Sequence, residues 1–400
     1  MLLGGLALAL LLTACVWHEP GQPRTYLPAT ATSGFRAVVD PEPTAPRAAA
    51  PAIQPTFTPG GPGSDTPLPR AGEGRGVRVG EGQVPKVEAG ASAIGAGSRI
   101  PWQNGRWFLH GANVPWFNWG CDFGCGTQGG VSDPAVRVQL DTAFRQARAN
   151  GVRVLRWWLF PGDPWQVTRD EDGTPHGLHP AVYADLDAAL RLGEAHDLYY
   201  EFTLFSSPAQ LPASWLWNAD QRERLAEVLG TLFARYRGQP RILAWDVVNE
   251  PEWDIWARKV GWQEVAALVR AVAQAAHTHG SAYVTVGAAR LDGLVLWTGL
   301  GLDFYQVHWY DAMSHPSHCA RCTDYAALQA AYGLDGPLII GEFYAGPDTD
   351  ALKRFQDFYR KGYAGALAWS LFAERTNDRM QIDLSATAAF ARAAADAGPR

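Results

Sequence analysis

The sequence predicts an α/β fold, a closed (β/α)8 barrel of the TIM type, preceded by a disordered Pro-rich tether. Short apolar runs alternate with amphipathic segments from residue 106 onward, and eight such runs can be counted. Alternation of strands and helices implies parallel strands joined by right-handed crossovers. Eight such units within about 300 residues are typical of a barrel.

The eight strand candidates are mostly continuous apolar runs, which suit strands that are covered on both faces. They are 106–113, 152–160, 198–205, 241–250, 282–287, 302–310, 337–343 and 364–372. A doubly wound open sheet is the alternative fold. It usually has fewer strands and often a Gly-rich phosphate-binding turn, and no G-x-G-x-x-G sequence lies between a strand and a helix here.

The helical segments carry start and stop signals. The first, 133–150, has Ser132 or Asp133 as its N-cap, Pro134 in its first turn and Gly151 after its end. The other clear helical segments, which also close on Gly, are 221–238, 261–280 and 351–362. The segment after the fifth strand, 288–301, is the weakest helix prediction.

The first hundred residues differ from the rest. Residues 1–15 form an apolar run that is too short for a mature membrane anchor and is typical of a signal peptide. The run ends in Leu-Thr-Ala-Cys, which resembles the lipobox of bacterial lipoproteins, so lipidation of Cys15 is expected; an ordinary signal peptide is the alternative. Residues 16–100 contain 13 of the 28 prolines and predict a disordered linker before a domain at 101–400.

Charge and export limit the expected partners. The net charge is −6 without a basic stripe, so nucleic acid is not an expected partner. The chain is expected to be exported, either secreted or anchored by lipid to the cell envelope at the outer membrane or cell surface. A monomer is expected, and contact with a membrane only through the lipid.

Four cysteines lie in the predicted domain, in the close pairs Cys121 and Cys125, and Cys319 and Cys322. In an exported protein they suggest disulfides, of which three pairings are possible. Two local bridges are the simplest choice. A zinc ion held by all four thiolates is the alternative, although the two pairs lie much farther apart than in a zinc ribbon.

Polar side chains stand at the predicted carboxyl ends of the strands, where the active sites of (β/α)8 barrels lie. They belong to Asn113, Arg156, Asn249, Glu250, His308, Tyr310, Glu342 and Trp369. Two of them are Glu residues, on strands four and seven. Two carboxyl groups that flank one scissile bond are the arrangement glycosidases use, and a separation of ~5 Å would give retention of anomeric configuration.

Four motifs occur in order along these strands. "WDVVNEP" (245–251) resembles the strand-four Asn-Glu-Pro motif of the retaining barrel glycoside hydrolases, the clan that includes family-five cellulases and mannanases. "VHWY" (307–310) is similar to its strand-six His-x-Tyr, "LIIGEF" (338–343) to its strand-seven nucleophile motif, and "AWS" (368–370) to its strand-eight Trp. One such motif would be weak evidence, whereas the ordered set is strong.

The resemblance implies a role for each of these side chains. Glu250 would be the acid/base and Glu342 the nucleophile, kept ionised by Arg156 and Tyr310. Asn249 would bind the sugar 2-hydroxyl, and His308 would orient Glu250 or bind sugar. Trp369 would form an apolar floor, and Asn113 would support the site. No metal or cofactor is implied.

Two further polar residues lie on the predicted strands. Asp246 shares the parity of Glu250 on strand four but lies deeper, and is interpreted as structural. His110 either lines the site or is a satisfied histidine of the barrel rim.

The expected reaction is hydrolysis of a β-linked polysaccharide, a β-mannan or β-glucan, by double displacement. The alternatives are an exo-acting β-glycosidase and a non-catalytic glycan-binding barrel. Strand three ends in Phe205-Ser206 rather than the His common in cellulases, which weakens a cellulase assignment. About two or three of the loop tryptophans are expected to contact sugar: Trp116, Trp119, Trp165, Trp215, Trp217, Trp253 and Trp256.

Overall fold

A computed structural model of the protein describes residues 99–315 and 317–398. Its centre is a closed barrel of eight parallel strands, in which each strand pairs with the next along the chain and the last pairs with the first. The barrel strands, labelled β1 to β8, are Leu109–Asn113, Val154–Phe160, Tyr199–Phe205, Ile242–Asn249, Tyr283–Ala288, Tyr305–His308, Leu338–Tyr344 and Gly365–Trp369. The predicted (β/α)8 barrel is confirmed, and the open sheet is excluded because the barrel is closed.

The N-terminal predictions are not addressed by this structure. The signal peptide, its Cys15 and residues 16–98 of the predicted tether lie outside the described residues. Within the described part of the chain, no helix is long and apolar enough to cross a membrane.

Helices surround the barrel in the order that the sequence predicts. The α-helices are Pro134–Ala149, Pro180–His196, Ala213–Trp217, Ala219–Arg235, Glu252–Trp256, Trp262–His279, Tyr325–Tyr332, Ala351–Arg360, Ala373–Thr376 and Leu384–Ala393. The first begins as expected, because the Asp133 side chain accepts a hydrogen bond from the backbone N–H of Ala135. Asp133, rather than Ser132, is therefore the cap.

Four predicted elements differ from the structure, one of them the eighth strand, which ends at Trp369 instead of residue 372. The first strand candidate is divided, since Gly105–Trp107 pairs with Ile100–Trp102 in an antiparallel hairpin and β1 begins only at Leu109. The sixth strand is shorter than 302–310. The weak helix at 288–301 is a 3-10 helix over Leu291–Leu296, within a segment that contains three helix-disfavouring glycines.

Further short elements lie outside the barrel. The strands Val167–Arg169 and Pro175–Leu178 form a second antiparallel hairpin after β2. The remaining 3-10 helices are Pro208–Gln210 and Ala320–Cys322.

Alternation along the strands creates two packing layers. Outward side chains meet the helices: Trp157 packs edge-on against Phe144, and Trp245 packs against Phe233. Inward side chains near the amino ends of the strands form a separate apolar cluster that includes Leu109, Val154, Tyr199, Leu243, Ile339 and Leu367. This cluster closes the bottom of the barrel, so polar inward residues are confined to the carboxyl end.

Two disulfides are present, one within the loop after β1 and one within the loop after β6. Cys121 is bonded to Cys125, and Cys319 is bonded to Cys322. The prediction of two local bridges is confirmed. The zinc alternative is wrong, because each thiol is already bonded to its sequence neighbour.

Candidate active site

Arg156, an inward residue of β2, organises the carboxyl end of the barrel. Its guanidinium is fully buried and donates to Asp246 (2.7 and 3.0 Å) and to Glu342 Oε1 (2.7 Å). It also donates to the amide oxygens of Asn113 (3.1 Å) and Asn249 (2.8 Å). Burial lowers the pKa of Arg156, but the neighbouring carboxylates outweigh burial and raise it overall, so the group stays charged. One cation thereby fixes side chains from β1, β4 and β7.

Glu342 lies near the end of β7 and is 5 % exposed. Its Oε1 accepts from Arg156, and its Oε2 accepts from the Tyr310 hydroxyl at 2.8 Å. The pKa of Glu342 is raised, mainly by burial and further by the Glu250 carboxylate, although His308, Arg156 and Tyr310 oppose the shift. Donors on both oxygens stabilise the ionised form, which is the form a nucleophile requires.

Glu250 follows β4 directly, in a left-handed backbone conformation with φ of +43°. Its backbone N–H donates to Gly287 O on β5 at 2.7 Å, which holds this unusual conformation in place. The side-chain Oε1 lies 2.8 Å from His308 Nδ1, and Oε2 accepts from Trp253 Nε1 at 3.1 Å. Burial raises the pKa of Glu250 to about 7, against the effects of Arg156 and Trp253. A carboxyl group with this pKa can both give and take a proton near neutrality.

His308, at the end of β6, is fully buried between the two acids. Its Nδ1 lies 2.8 Å from Glu250 Oε1 and 3.5 Å from Glu342 Oε2. Burial lowers the pKa of His308 to about 4, so the ring is neutral near pH 7. A neutral ring has one donor and one acceptor nitrogen, and it therefore orients Glu250 without adding positive charge.

The two candidate catalytic carboxylates face each other. An oxygen of Glu250, an oxygen of Glu342 and a ring nitrogen of His308 all lie within 4.8 Å of one another. Three such groups could hold a metal ion, but both Glu342 oxygens already accept hydrogen bonds, one from the charged Arg156. The spacing fits the ~5–5.5 Å of retaining glycosidases better than the ~6.5–9.5 Å of inverting ones.

Trp369, the last residue of β8, forms one wall of the site. Its indole donates to Asp378, and its ring packs edge-on against Trp158 (5.7 Å) and Trp116 (6.4 Å). Trp158 in turn lies 4.3 Å from the Arg156 guanidinium. The eight predicted site residues are thus joined by direct contacts or through Trp158.

The structure also places Asp246 and His110. Asp246 accepts from Arg156, from the Thr203 hydroxyl at 2.9 Å and from Gly287 N at 2.9 Å, beneath the site. These contacts agree with the interpretation of Asp246 as a structural residue. His110 does not line the site, because its ring packs against Phe355 (4.8 Å) and Phe390 (5.0 Å) of the surrounding helices.

Sequence reasoning missed two buried acids around the site, Glu201 and Glu252, and the contact of Trp253 with Glu250. Glu201 on β3 is fully buried, 3.4 Å from Arg156 Nε, and burial raises its pKa to about 8. Glu252 is also fully buried and accepts from Ala289 N (2.9 Å) and Trp297 Nε1 (2.6 Å). Trp253 donates to Glu250. The parity of Glu201 with Arg156, its register partner, was the signal that could have identified it.

The loop tryptophans divide by exposure. Trp215 is fully buried and donates to Gly173 O, so it is excluded as a sugar platform. Those more than one third exposed among the seven are Trp119, Trp165, Trp217, Trp253 and Trp256. The expectation that a few contact sugar stays a prediction.

The fold and site together define a (β/α)8 barrel with paired carboxylates at its mouth. No protein-family profile matches the chain. It is similar to the mannan endo-1,4-β-mannosidase of Mytilus edulis, 24% identical in an alignment 327 residues long that covers 69% of this chain and 86% of the relative. The mannan endo-1,4-β-mannosidase of Cryptopygus antarcticus is 24% identical over 324 residues, covering 68% and 83%.

The barrel is also similar to solved structures. The β-mannanase from the blue mussel Mytilus edulis superposes with a TM-score of 0.61 at 20% identity, covering 77% of this chain and 98% of that one. At this identity the likeness establishes the fold.

Proposed function

We propose that the protein is a retaining endo-β-1,4-mannanase, an O-glycosyl hydrolase that cleaves β-mannan by double displacement. The observation that carries this proposal is the approach of Glu250 and Glu342 within 4.8 Å, on strands four and seven of one barrel. The choice of mannan is supported by the two relatives, both mannan endo-1,4-β-mannosidases.

In the first step, Glu342 attacks the anomeric carbon while Glu250 donates its proton to the glycosidic oxygen. The C–O bond to the leaving sugar breaks and a covalent glycosyl ester on Glu342 forms. Because Glu250 is more than half protonated below about pH 7, the acid is available in neutral or mildly acidic solution.

In the second step, the ionised Glu250 takes a proton from water, whose oxygen attacks the same anomeric carbon. The ester bond breaks and the Glu342 carboxylate is released. Arg156 and Tyr310 each donate to one oxygen of this carboxylate, so both stabilise the leaving group. Two inversions at one carbon give net retention.

The full chain should be assayed against mannan, glucomannan, cellulose, mixed-linkage glucan and xylan, with product lengths resolved. We expect oligosaccharides of mixed length from mannan and little product from cellulose or xylan. Release of single mannose units only would instead support the exo-acting alternative. Glu342→Gln is the matched control, and its activity should fall roughly 10⁴-fold or more. Binding of mannan without turnover by the unaltered protein would support a non-catalytic glycan-binding barrel.

The proposal extends to location. Two disulfides are typical of an exported protein. The lipobox-like sequence supports a lipid anchor at Cys15, with residues 16–100 as the tether and the catalytic domain as a monomer. Metabolic labelling with a radioactive fatty acid should mark the chain and fail to mark Cys15→Ser; equal labelling of both would refute the anchor.

A further inference from the structure

The indole of Trp253 contacts the carboxyl group of Glu250. Its Nε1 donates to Oε2 at 3.1 Å, whereas His308 Nδ1 faces Oε1 at 2.8 Å. The carboxyl group therefore has a nitrogen partner at each oxygen, and the pair of contacts restricts its rotation. Of these two partners, only His308 belongs to one of the four strand-end motifs, 307–310.

Trp253 is itself held on the rim by Trp256 and Arg290. Its ring packs edge-on against Trp256 at 5.3 Å, and the guanidinium of Arg290 lies 4.2 Å from the Trp256 ring and 5.6 Å from the Trp253 ring. Asp292 binds Arg290 through two hydrogen bonds of 2.8 and 3.1 Å. The loop after β5 thus supports the indole from outside.

Trp253 belongs to a short helix, and two acidic residues of this helix, Glu252 and Asp254, fix it to the segments on either side. Glu252 accepts from Ala289 N and Trp297 Nε1, which ties the helix to the segment after β5. Asp254 accepts from the Ser207 hydroxyl and from Ala209 N, which ties it to the segment after β3. With both sides fixed, Trp253 has little freedom to move away from Glu250.

Packing alone does not account for this indole. The Trp253 residue is 39 % exposed, whereas Trp215 and Trp297 nearby on the same rim are at most 1 % exposed. The half-exposed indole donates its one N–H to the acid/base carboxylate, and it is therefore placed to act on that group.

We infer that Trp253 is a positioning residue, which orients the Glu250 carboxyl group for proton transfer to the leaving sugar. This inference rests on the proposed hydrolase function. A donor to the ionised carboxylate also stabilises it, so the Trp253 N–H lowers the pKa of Glu250 while burial raises it. Loss of the N–H should leave Glu250 protonated to a higher pH.

Other charged or titratable groups surround this contact and stay in place when Trp253 is changed. They are Arg156 on β2, His308 on β6, Glu342 on β7, Tyr310 beyond β6, Glu252 in the next turn and Arg290 beside the indole. A shift in the pH profile of a Trp253 variant therefore reports the lost N–H rather than a lost charge.

The test uses the full chain with Trp253→Phe, which keeps an aromatic ring and removes the donor. The rate kcat/KM should be measured against pH with a manno-oligosaccharide and with a 2,4-dinitrophenyl β-manno-oligoside. We expect the alkaline limb on the oligosaccharide to move up by roughly one pH unit, the size of one charged hydrogen bond. The kcat/KM on this substrate, which reports the first step, should fall about tenfold. The kcat/KM on the dinitrophenyl substrate should change little, because its leaving group needs no proton.

Trp262→Phe is the matched control, because it removes an indole N–H that donates to the Leu296 carbonyl instead of to Glu250. Its alkaline limb should stay at the position of the unaltered protein. Replacing Trp253 by 3-benzothienylalanine, which exchanges the N–H for sulfur, should reproduce the shift if the Phe variant folds poorly. If the alkaline limb of Trp253→Phe does not move, or if kcat/KM falls equally on both substrates, the positioning role is overturned while the hydrolase function stands. Absence of activity in the unaltered chain on both substrates would instead overturn the hydrolase function, and this inference with it.

Discussion

Glu250 and Glu342 face each other at the barrel mouth, with carboxylate oxygens no more than 4.8 Å apart. The two residues end or follow β4 and β7, strands that are not neighbours in the barrel. Parallel closure brings their ends to one rim, and His308 of the intervening β6 contacts both carboxyl groups.

The pH profile should have an alkaline limb near pH 7. Burial raises the pKa of Glu250 from 4.5 to about 7, and only the protonated form can act as the acid. Thus kcat/KM on an unactivated oligosaccharide should fall about tenfold per unit above this pH. Initial rates between pH 4 and 10 measure the limb, and a rate that is flat up to pH 9 would exclude Glu250 as the acid.

Arg156→Lys should leave a folded but nearly inactive protein. A single ammonium group cannot hydrogen-bond to Asp246, Glu342 and the two asparagines at once, because it lacks the planar fork of the guanidinium. We expect kcat to drop roughly 10²–10³-fold. Arg156→Met should also lose about 3–5 kcal/mol of stability, since it leaves buried carboxylates without a cation. Full activity in the Lys variant would contradict the organising role of Arg156.

Gly287→Ala should impair catalysis, because the added Cβ would displace the site side chains next to it. A Cβ there would lie 2.7 Å from Arg156 Nη2, 3.0 Å from Gln306 Nε2 and 3.1 Å from His308 Nε2. Overpacking of this kind costs about 1–3 kcal/mol, and we expect at least ~10-fold loss of kcat. Gly177→Ala is the control, because its Cβ would meet only the Thr168 hydroxyl at 3.2 Å. Equal activity of the two variants would refute the prediction.

Glu201→Gln should flatten the dependence of stability on pH. Burial, followed by the charge of Asp246, raises the pKa of Glu201 from 4.5 in the unfolded chain to about 8, against Arg156. The folded state binds this proton more tightly, so the unaltered protein loses stability as pH rises from about 4.5 to about 8. A Gln side chain does not titrate, so the variant lacks this dependence of stability on pH.

Thermal unfolding at pH 5, 6.5 and 8 measures this effect. The Tm of Glu201→Gln relative to the unaltered protein should rise with pH, by roughly 2–4 °C for each kcal/mol regained. The exposed Glu194→Gln is the control and should follow the unaltered protein. Parallel curves for Glu201→Gln would mean that Glu201 is already ionised in the folded protein at pH 5.

The sequence was sufficient to predict the barrel and to place several polar residues together at its strand ends. Buried strands give long apolar runs, and a polar residue that closes such a run stands out, as Glu250 and Glu342 do. His110 could also have been placed from parity. It lies three residues before Asn113 on β1, so the two side chains point to opposite faces.

The residues around Glu250 could not be predicted in the same way. Glu252 and Trp253 open a short helix, where an acid is ordinary because it favours the helix N-terminus. Their contacts with Ala289, Trp297 and the Glu250 side chain depend on loop geometry, which no local pattern encodes. Glu201 differs from these two residues, because it interrupts the buried apolar run of β3 and shares the parity of Arg156, which was a usable signal.

The stereochemistry of hydrolysis tests the central claim most directly. Proton NMR can follow a manno-oligosaccharide during the first minutes of reaction with the full chain, before the anomers equilibrate. Because Glu250 and Glu342 are close enough for direct attack by Glu342, the β-anomer should appear first and the α-anomer only later, through mutarotation. Initial release of the α-anomer would mean a single inversion, and it would contradict the assignment of Glu342 as nucleophile.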